Sequence, residues 1–219
     1  MGRMRSEVFV TGGTGYLGSR LVPALLARGH SVRALVRRGS EAKLPPGCEA
    51  VPGDALDEAS FAGAVRAGET FVQLVGVAHP GPAKAPLFRT VDLASALASI
   101  SAAKRAGAAH FVYVSVAQPA PVMKEYVAAR AEAEAALRAS GLRATVLRPW
   151  YVLGPGHRWP YPLMPVFALL RHLPQTRETA RRLGFVKLRD MLAALVHAVE
   201  NPPSDGVRVV TAEDIAGRE

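Results

Sequence analysis

Short apolar runs alternate with longer amphipathic segments along most of this chain. Runs rich in β-branched and aromatic residues predict strands at residues 8–11, 31–36, 49–51, 70–75, 110–115 and 142–147. Apolar positions spaced three and four residues apart predict helices between several of these runs, beginning with Leu17, Leu21, Val22 and Leu25. Strands alternating with helices at this spacing predict an α/β fold, a Rossmann-type doubly wound parallel sheet with right-handed crossovers.

The remaining predicted elements complete this arrangement. Helices are predicted at residues 58–67, 88–106, 126–140 and 191–200, with Asp57 and Asp190 as N-caps of the first and the last. Residues 207–211 are a candidate last strand, and the tail from Ala212 is expected to be loose. We expect residues 1–150 to form the core. Residues 151–219 would form a small substrate-covering region, with a proline-rich and basic lid at 157–182, that returns to the same structural domain.

Composition narrows the class of protein. The 219 residues are 49% hydrophobic and 21% charged, which suits one sizeable core. The net charge is +9, but the 27 basic residues are scattered, so we expect no nucleic-acid partner. No apolar run predicts membrane insertion, and no secretory signal precedes the first strand. The single Cys48 excludes a disulfide framework and suits the cytoplasm. The expected state is a monomer or a homodimer.

A glycine-rich turn follows the first strand and carries the strongest functional signal. Its residues, Thr11, Gly12, Gly13, Thr14, Gly15, Tyr16, Leu17 and Gly18, satisfy both G-x-G-x-x-G and T-G-x-x-G-x-x-G. Glycines permit the turn and let the backbone approach a pyrophosphate, and the N-terminus of the following helix offers N–H groups to the phosphates. The turn therefore predicts a dinucleotide site.

Residues at the ends of the next strands indicate which dinucleotide it is. Arg37 and Arg38 stand where many such folds carry a carboxylate for the ribose hydroxyls, and a guanidinium pairs well with a 2′-phosphate. We therefore expect NADP, with NAD as the alternative. Asp54 is placed to accept a hydrogen bond from the adenine amino group. Its neighbour Ala55 is also assigned to the cofactor site, and Val75 and Gly76 are expected beside the ribose.

Three residues are candidates for catalysis. Ser115 ends the fifth strand, at the sheet edge where substrates bind. Tyr126 and Arg130 are four residues apart and share one helical face, and a cation beside a phenol favours the phenolate that proton transfer to a carbonyl requires. Spacing alone does not distinguish this pair from surface decoration. No cluster of histidine and acidic residues has the spacing of metal ligands, so we expect no catalytic metal.

Several motifs, in their order along the chain, resemble the short-chain dehydrogenase/reductase superfamily. They are Thr11 to Gly18, Gly53-Asp54, Gly107 with the His-Phe-Val-Tyr-Val-Ser115 run, Tyr126-x-x-x-Arg130, Glu134, and Leu147-Arg148-Pro149. The short chain and the short interval from Ser115 to Tyr126 resemble the atypical, NAD(P)-binding branch. That branch includes NmrA-like regulators, relatives of the 39-kDa subunit of respiratory complex I, and NAD-dependent epimerase/dehydratase-like proteins.

The resemblance implies roles for individual residues. Tyr126 would exchange the proton, Ser115 would orient the substrate, and Pro149 would lie beside the nicotinamide. Arg130 stands where catalytic members have a lysine that binds the nicotinamide ribose, and this exchange is not conservative at a tight contact. Two hypotheses follow. The first is an NADP-dependent oxidoreductase or epimerase-like enzyme acting on a small carbonyl or sugar-like substrate. The second is a nucleotide-binding sensor, regulator or assembly factor without turnover.

Overall fold

A computed structural model describes residues 5–156 and 182–217. Its strands are β1 (Glu7–Thr11), β2 (Ser31–Val36), β3 (Cys48–Pro52), β4 (Thr70–Gln73), β5 (His110–Val114), β6 (Ala144–Arg148), β7 (Tyr151–Leu153), β8 (Phe185–Lys187) and β9 (Val207–Thr211). Seven of them form one sheet in the order β3-β2-β1-β4-β5-β6-β9, and every neighbouring pair is parallel. The remaining two, β7 and β8, pair with each other. This is the Rossmann-like α/β fold that the sequence predicts.

Five α-helices of at least five residues flank the sheet in the described part of the chain. They are α1 (Gly18–Ala27), α2 (Ala94–Ala106), α3 (Lys124–Ser140), α4 (Leu188–Glu200) and α5 (Ala212–Ala216). A π-helical segment, Phe88–Leu93, leads directly into α2. The predicted helix at 88–106 is therefore present, with wider winding in its first six residues.

Alternate strand residues fill two separate hydrophobic layers. Val8 and Val10 of β1 pack on one face of the sheet with residues of α1 and α4. Phe9, between them in the sequence, packs on the other face with residues of α2 and α3. This two-residue alternation is what a strand buried on both faces requires. The two layers support the sheet on both faces, and because its strands are parallel, their carboxyl ends lie at one edge of the sheet.

The strand order shows where along the sheet a ligand is expected to bind. The chain runs outward from β1 through β2 to β3, and then returns across β1 to β4, β5 and β6. The crevice between β1 and β4 is therefore the topological switch point, where ligands bind in open parallel sheets. The glycine turn after β1 and Gly76 after β4 both lie there.

Three sequence predictions about helices are wrong in detail. Residues 58–67 form two short 3₁₀ turns, Glu58–Ser60 and Ala62–Ala64. The Ser60 hydroxyl contacts the carbonyls of Asp54 and Asp57, which competes with regular helical bonding, although Asp57 does cap the first turn as predicted.

The other two corrections concern the C-terminal part. Asp190 lies inside the first turn of α4 and pairs with Arg189, so it is not the N-cap. The tail from Ala212 forms α5, because Thr211 and Asp214 make a reciprocal capping box.

The predicted lid falls almost entirely on residues 157–181, which lie outside the described residues. In the two ranges that are described, no helix is both long enough and apolar enough to cross a membrane.

Candidate dinucleotide and carbonyl site

The glycine turn is built so closely that two of its glycines leave no room for a side chain. Gly12 has φ +73°, and a β-carbon there would lie 2.9 Å from the carbonyl carbon of Leu74. A β-carbon on Gly18 would overlap the carbonyl oxygen of Gly12 and the Cα of Gly13. Gly18 thus lets the start of α1 lie directly against the turn, as phosphate binding by a helix N-terminus requires.

The N-terminus of α1 has donors to offer a phosphate. The N-cap residue, Leu17, has no oxygen in its side chain to satisfy the first N–H groups, and no acidic residue lies in the first turn. Across the described ranges, the backbone N–H groups of Leu17 and Gly18 find no acceptor. An anion at this position would receive their hydrogen bonds and the favourable end of the helix dipole.

A cavity of 370 Å³ opens beside this turn, and we call it the dinucleotide cavity. Its walls come from the carboxyl ends of β1, β2, β3 and β4. Eight predicted cofactor residues line it: Gly12, Thr14, Gly15, Arg37, Asp54, Ala55, Val75 and Gly76. Six further residues line it that were not assigned to the cofactor site: Leu35, Val36, Gly53, Leu56, Leu74 and Val91, of which Gly53 belongs to the Gly53-Asp54 motif. Most of these six adjoin a predicted residue in the chain, so strand-end position was the signal that would have found them.

Other predicted cofactor residues lie behind the cavity wall or away from it. Thr11 is buried, and its hydroxyl donates to the side-chain oxygen of Gln73. Gly13 is packed against Ala34 of β2. Tyr16, Leu17 and Gly18 carry the chain from the turn into α1, Arg38 is exposed, and Pro149 is buried and accepts a backbone hydrogen bond at 3.0 Å from Ala117. Thr11, Gly13 and residues 16–18 therefore belong to the turn and its flanks, whereas Arg38 and Pro149 follow β2 and β6, and none of these residues lines the cavity.

The adenosine end of the cavity carries one cation and one carboxylate. Arg37 is exposed and follows immediately after Val36, the last residue of β2. The Asp54 carboxylate accepts a hydrogen bond from the backbone N–H of Leu56 at 3.0 Å, which fixes its orientation. The first carboxylate after β2 in the chain is Glu41, four residues beyond Arg37.

Arg130 lies between Tyr126 and Gly76, a wall residue of the dinucleotide cavity. Its side chain is 8% exposed and forms an ion pair with Asp92, which is fully buried. It also donates to the backbone carbonyl of Val114 at 2.7 Å, and its Nη2 atom lies where a β-carbon of Gly76 would be. Burial acts to lower the pKa of Arg130, but Tyr126, Tyr113 and Asp92 raise it above the ordinary value, so the side chain is a permanent cation.

Tyr126 lies within reach of this cation. The centre of the Arg130 guanidinium is 5.2 Å from the Tyr126 ring centroid. The ring also meets Phe88 edge to face, with centroids 5.0 Å apart. Within the described ranges, no hydrogen-bond partner is found for the Tyr126 hydroxyl. The structure therefore brings Tyr126 and Arg130 together as the four-residue spacing predicts.

Ser115 belongs to a different cluster, centred on Glu134. Its hydroxyl donates to Glu134 at 2.6 Å and is 3% exposed. Arg148 forks onto the same carboxylate, with Nε at 2.9 Å and Nη2 at 2.5 Å, and Arg138 and Gln118 donate to it as well. Burial acts to raise the pKa of Glu134, but these hydrogen bonds and the charge of Arg148 lower it below the ordinary value. No contact joins Ser115 to Tyr126 in the described residues.

Asp92 is the residue of this site that sequence reasoning missed. One oxygen pairs with Arg130, and the other accepts from the backbone N–H of Val77 at 3.0 Å. Asp92 thereby fixes both the arginine and the loop that follows β4. The sequence did contain a signal for Asp92. With helical spacing, Asp92 shares a face with Phe88, Ser95 and Ser99, and it is the one charged residue among these apolar or small side chains. Charged residues on such a face are rarely buried without a partner.

The fold and these residues define a nicotinamide dinucleotide-binding protein, and comparison with known proteins identifies the family. The model of the NAD(P)H-binding family matches residues 12–158. The chain belongs to this NAD(P)H-binding family, in the atypical branch of the short-chain dehydrogenase/reductase superfamily. The match begins at the glycine turn and ends just beyond β7.

Reductases are among its sequence relatives. A ceramide reductase of Caulobacter vibrioides is 30% identical over 200 residues, covering 90% of this chain. A 3-diazoavenalumate denitrifying reductase of a Streptomyces species is 32% identical over 237 residues, covering 94% of this chain. The chain spans 62% of the length of the first and 76% of the second. The substrates in those names are properties of those two proteins.

Solved structures share the fold at lower identity. The enzyme WbmH of Bordetella bronchiseptica, in complex with NAD⁺, is 21% identical with a TM-score of 0.68, over 95% of this chain and 76% of that one. UDP-glucose 4-epimerase of Thermus thermophilus, in complex with NAD, is 23% identical with a TM-score of 0.66, over 97% of this chain and 81% of that one. These likenesses support the Rossmann-type architecture.

The dinucleotide cavity fits the cofactor of this family. Gly12 and Gly18 make a cradle that any β-carbon would fill, Leu17 and Gly18 supply N–H groups, and Arg37 faces the cavity from the end of β2. For metals, residues 5–156 and 182–217 contain no group of three or more His, Cys, Asp or Glu side chains that is placed to hold an ion.

Proposed function

We propose that this chain is an NADP-dependent oxidoreductase that interconverts a small carbonyl compound and its alcohol, with an epimerase-like reaction on a sugar-like substrate as the variant of this chemistry. Family membership supports the nicotinamide cofactor, and two relatives are named as reductases. The single Cys48 is consistent with the reducing cytoplasm as the place of the reaction.

One observation carries this proposal. Arg130 lies between the candidate acid/base and a wall of the cofactor cavity, since its guanidinium centre is 5.2 Å from the Tyr126 ring centroid and it packs against Gly76, which lines that cavity. A buried cation in this position can stabilise negative charge that develops on a phenol oxygen during proton transfer. The Tyr126–Arg130 spacing alone is common on helices, whereas the additional contact of Arg130 with Gly76 is specific to this fold.

The chemistry divides between the cofactor and the protein. A reduced nicotinamide dinucleotide held by the glycine turn and the dinucleotide cavity would supply a hydride to the carbonyl carbon. Tyr126 gives its hydroxyl proton to the carbonyl oxygen, so that the C=O bond becomes an alcohol, and the phenolate takes its proton back from solvent. Arg130 stabilises the phenolate between these two proton transfers, and Asp92 holds Arg130 in place.

Ser115 takes a smaller part in this proposal than the motif implies. Its hydroxyl proton is committed to Glu134, so it orients a substrate oxygen only after turning away from that carboxylate. Replacing Ser115 by Ala should therefore reduce turnover less than replacing Tyr126 by Phe.

NADP is proposed over NAD because of Arg37. The guanidinium is exposed at the cavity, directly after β2 where many such folds carry a carboxylate, and it can form two hydrogen bonds to a 2′-phosphate. In the variant Arg37→Asp, NADPH binding should fall while NADH binding is kept. Arg143→Asp makes the same change of charge before β6 and should leave the preference unchanged. Equal loss of both cofactors in Arg37→Asp would contradict the assignment.

Turnover is tested by screening aldehydes and ketones with NADPH, using Tyr126→Phe as the key variant. We expect this variant to bind NADPH as the parent protein does and to lose at least two orders of magnitude in kcat, the usual contribution of a positioned proton donor. Activity unchanged in Tyr126→Phe would remove this residue from the mechanism.

A second candidate function is a nucleotide-binding sensor or regulator without turnover. It is favoured by the partners already held by the catalytic candidates, since Arg130 is paired with Asp92 and Ser115 with Glu134. This function requires NADPH binding with no reduction across the carbonyl screen.

A further inference from the structure

A second cavity, of 280 Å³, lies beside Tyr126 and outside the dinucleotide cavity. It is lined on one side by the segment before and within the π-helical turn and on the other by the start of α3. Pro82, Ala85, Phe88 and Met123 supply apolar walls, and Tyr126 stands between this cavity and Arg130. Phe88 lines this cavity, and Val91, three residues later on the same helical segment, lines the dinucleotide cavity. The π-helical segment therefore contributes a wall residue to each of the two cavities.

Two exposed hydrophobic side chains adjoin lining residues of this second cavity in the chain. Only four large hydrophobic side chains of the described ranges are 40% exposed or more. Two of these four are Leu87, which is 44% exposed and precedes Phe88, and Val122, which is 54% exposed and precedes Met123. A single exposed hydrophobic residue needs no explanation, but two of the four on the segments that line one cavity are notable.

Met123 is held there in an unfavourable conformation. It is the N-cap of α3, with φ +57° and ψ +40°, in the left-handed region that glycine or asparagine normally occupies. It also makes no side-chain capping bond, although an N-cap is a position for Ser, Thr, Asp or Asn. Both local preferences are overridden to bring a flexible apolar side chain to the cavity wall, and such overrides cluster at ligand sites.

The charges at the cavity argue against a strongly anionic occupant. The charged lining residues are Lys124 and Glu125, which are adjacent in the chain and of opposite sign. Their charges sum to zero, and a diphosphate or carboxylate group would gain little from them.

We propose that this cavity binds an apolar substituent of the substrate, an aliphatic chain or a ring, while the carbonyl to which it is attached reacts at Tyr126. This inference rests on the proposed oxidoreductase function and specifies its substrate class as lipophilic ketones or aldehydes. At about 30 Å³ for each water-sized group, the cavity accommodates about nine non-hydrogen atoms.

A homologous series of 2-alkanones, from 2-butanone to 2-undecanone, tests the proposal on the full chain by isothermal titration calorimetry. The titrations are made with and without NADP⁺, so that no turnover occurs. We expect Kd to fall about four-fold for each added methylene until the cavity is filled, and then to become constant. An affinity that does not depend on chain length would overturn the proposal.

Two variants change the size of the cavity in opposite directions. Ala85→Phe fills it, and the chain length at which Kd becomes constant should shorten by about six carbons. Ala83→Phe is the matched control, because Ala83 is exposed in the same segment and does not line the cavity. Met123→Ala enlarges the cavity and should lengthen the limit by about three carbons. If the limit stays constant in Ala85→Phe and in Met123→Ala, the alkyl chain binds elsewhere and the assignment is wrong.

NADPH binding and reduction of the same ketones, measured on the same samples, separate this inference from the proposed function. Reduction with no dependence on chain length contradicts the apolar cavity and leaves the oxidoreductase in place. A chain-length dependence of binding without reduction of any member supports the cavity and contradicts the oxidoreductase.

Discussion

The buried pair of Asp92 and Arg130 gives the sharpest prediction about stability, and a double-mutant cycle isolates it. Asp92→Asn keeps the shape of the side chain and removes its charge, so the Arg130 cation stays buried without a counter-ion. Arg130→Met keeps a long side chain and leaves the Asp92 carboxylate unpaired. The double variant removes both charges together.

The expected magnitude follows from burial. Asp92 is 0% exposed and the Arg130 side chain 8%, so solvent does not screen either charge when its partner is removed. Breaking a buried pair from one side costs about 3–5 kcal/mol, a large part of the 5–15 kcal/mol that typically stabilises a domain. Removing both partners avoids the unpaired charge. The double variant should therefore be destabilised by at least about 2 kcal/mol less than the sum of the two single costs.

The assay is urea unfolding, followed by tryptophan fluorescence and far-UV circular dichroism. Arg89 and Glu132 provide the matched control, because they form a 3.0 Å ion pair between the same π-helical segment and α3 with side chains 59% and 50% exposed. Their coupling energy should lie below about 1 kcal/mol. A coupling energy for Asp92 and Arg130 no larger than that of the exposed pair would refute the reasoning.

Two further predictions concern buried groups away from the site. Burial, followed by the charge of Arg208, lowers the pKa of His110 to about 4. The unfolded chain therefore binds more protons between pH 6.5 and 4, so stability is complete above this window and falls by about 1.4 kcal/mol per pH unit within it. His110→Gln should lose this component when urea unfolding is measured at several pH values. If the stability of His110→Gln falls with pH as steeply as that of the parent protein, the shift is contradicted. Burial and the charge of Glu49 raise the pKa of Cys48 to about 11. At pH 8, iodoacetamide should therefore alkylate Cys48 more slowly than it alkylates a peptide thiol, by a factor on the order of 10². Equal alkylation rates for Cys48 and the peptide thiol would contradict this prediction.

The parts of the fold that could be read from the sequence are those whose cause is local. The run from Val8 to Thr11, the glycines after it and the helix from Gly18 each have a backbone reason that lies within a few residues. The predicted parallel arrangement puts the carboxyl ends of β2, β3 and β4 at one edge, and the observed strand order brings Arg37, Asp54 and Gly76 to one cavity there. Eight of the predicted cofactor residues line the cavity for this reason.

The parts that could not be read depend on contacts between distant elements. The sequence does not show whether Arg130 points towards a cofactor ribose or pairs with a carboxylate. The answer depends on the packing of α3 against the π-helical segment, which brings Asp92 to Arg130. The partner of Ser115 is set in the same way by Glu134 on α3. The helix α5 was missed for a local reason. A short helix forms only when side-chain hydrogen bonds, such as those between Thr211 and Asp214, cap its end.

Direct titration of the protein with NADPH and NADH, followed by nicotinamide fluorescence, tests the central claim that the glycine turn and the cavity beside it bind a nicotinamide dinucleotide. The account predicts saturable binding of both, tighter for NADPH. Gly18→Ala should weaken both, since its β-carbon would overlap Gly12. If neither dinucleotide binds to the parent protein, the account is contradicted.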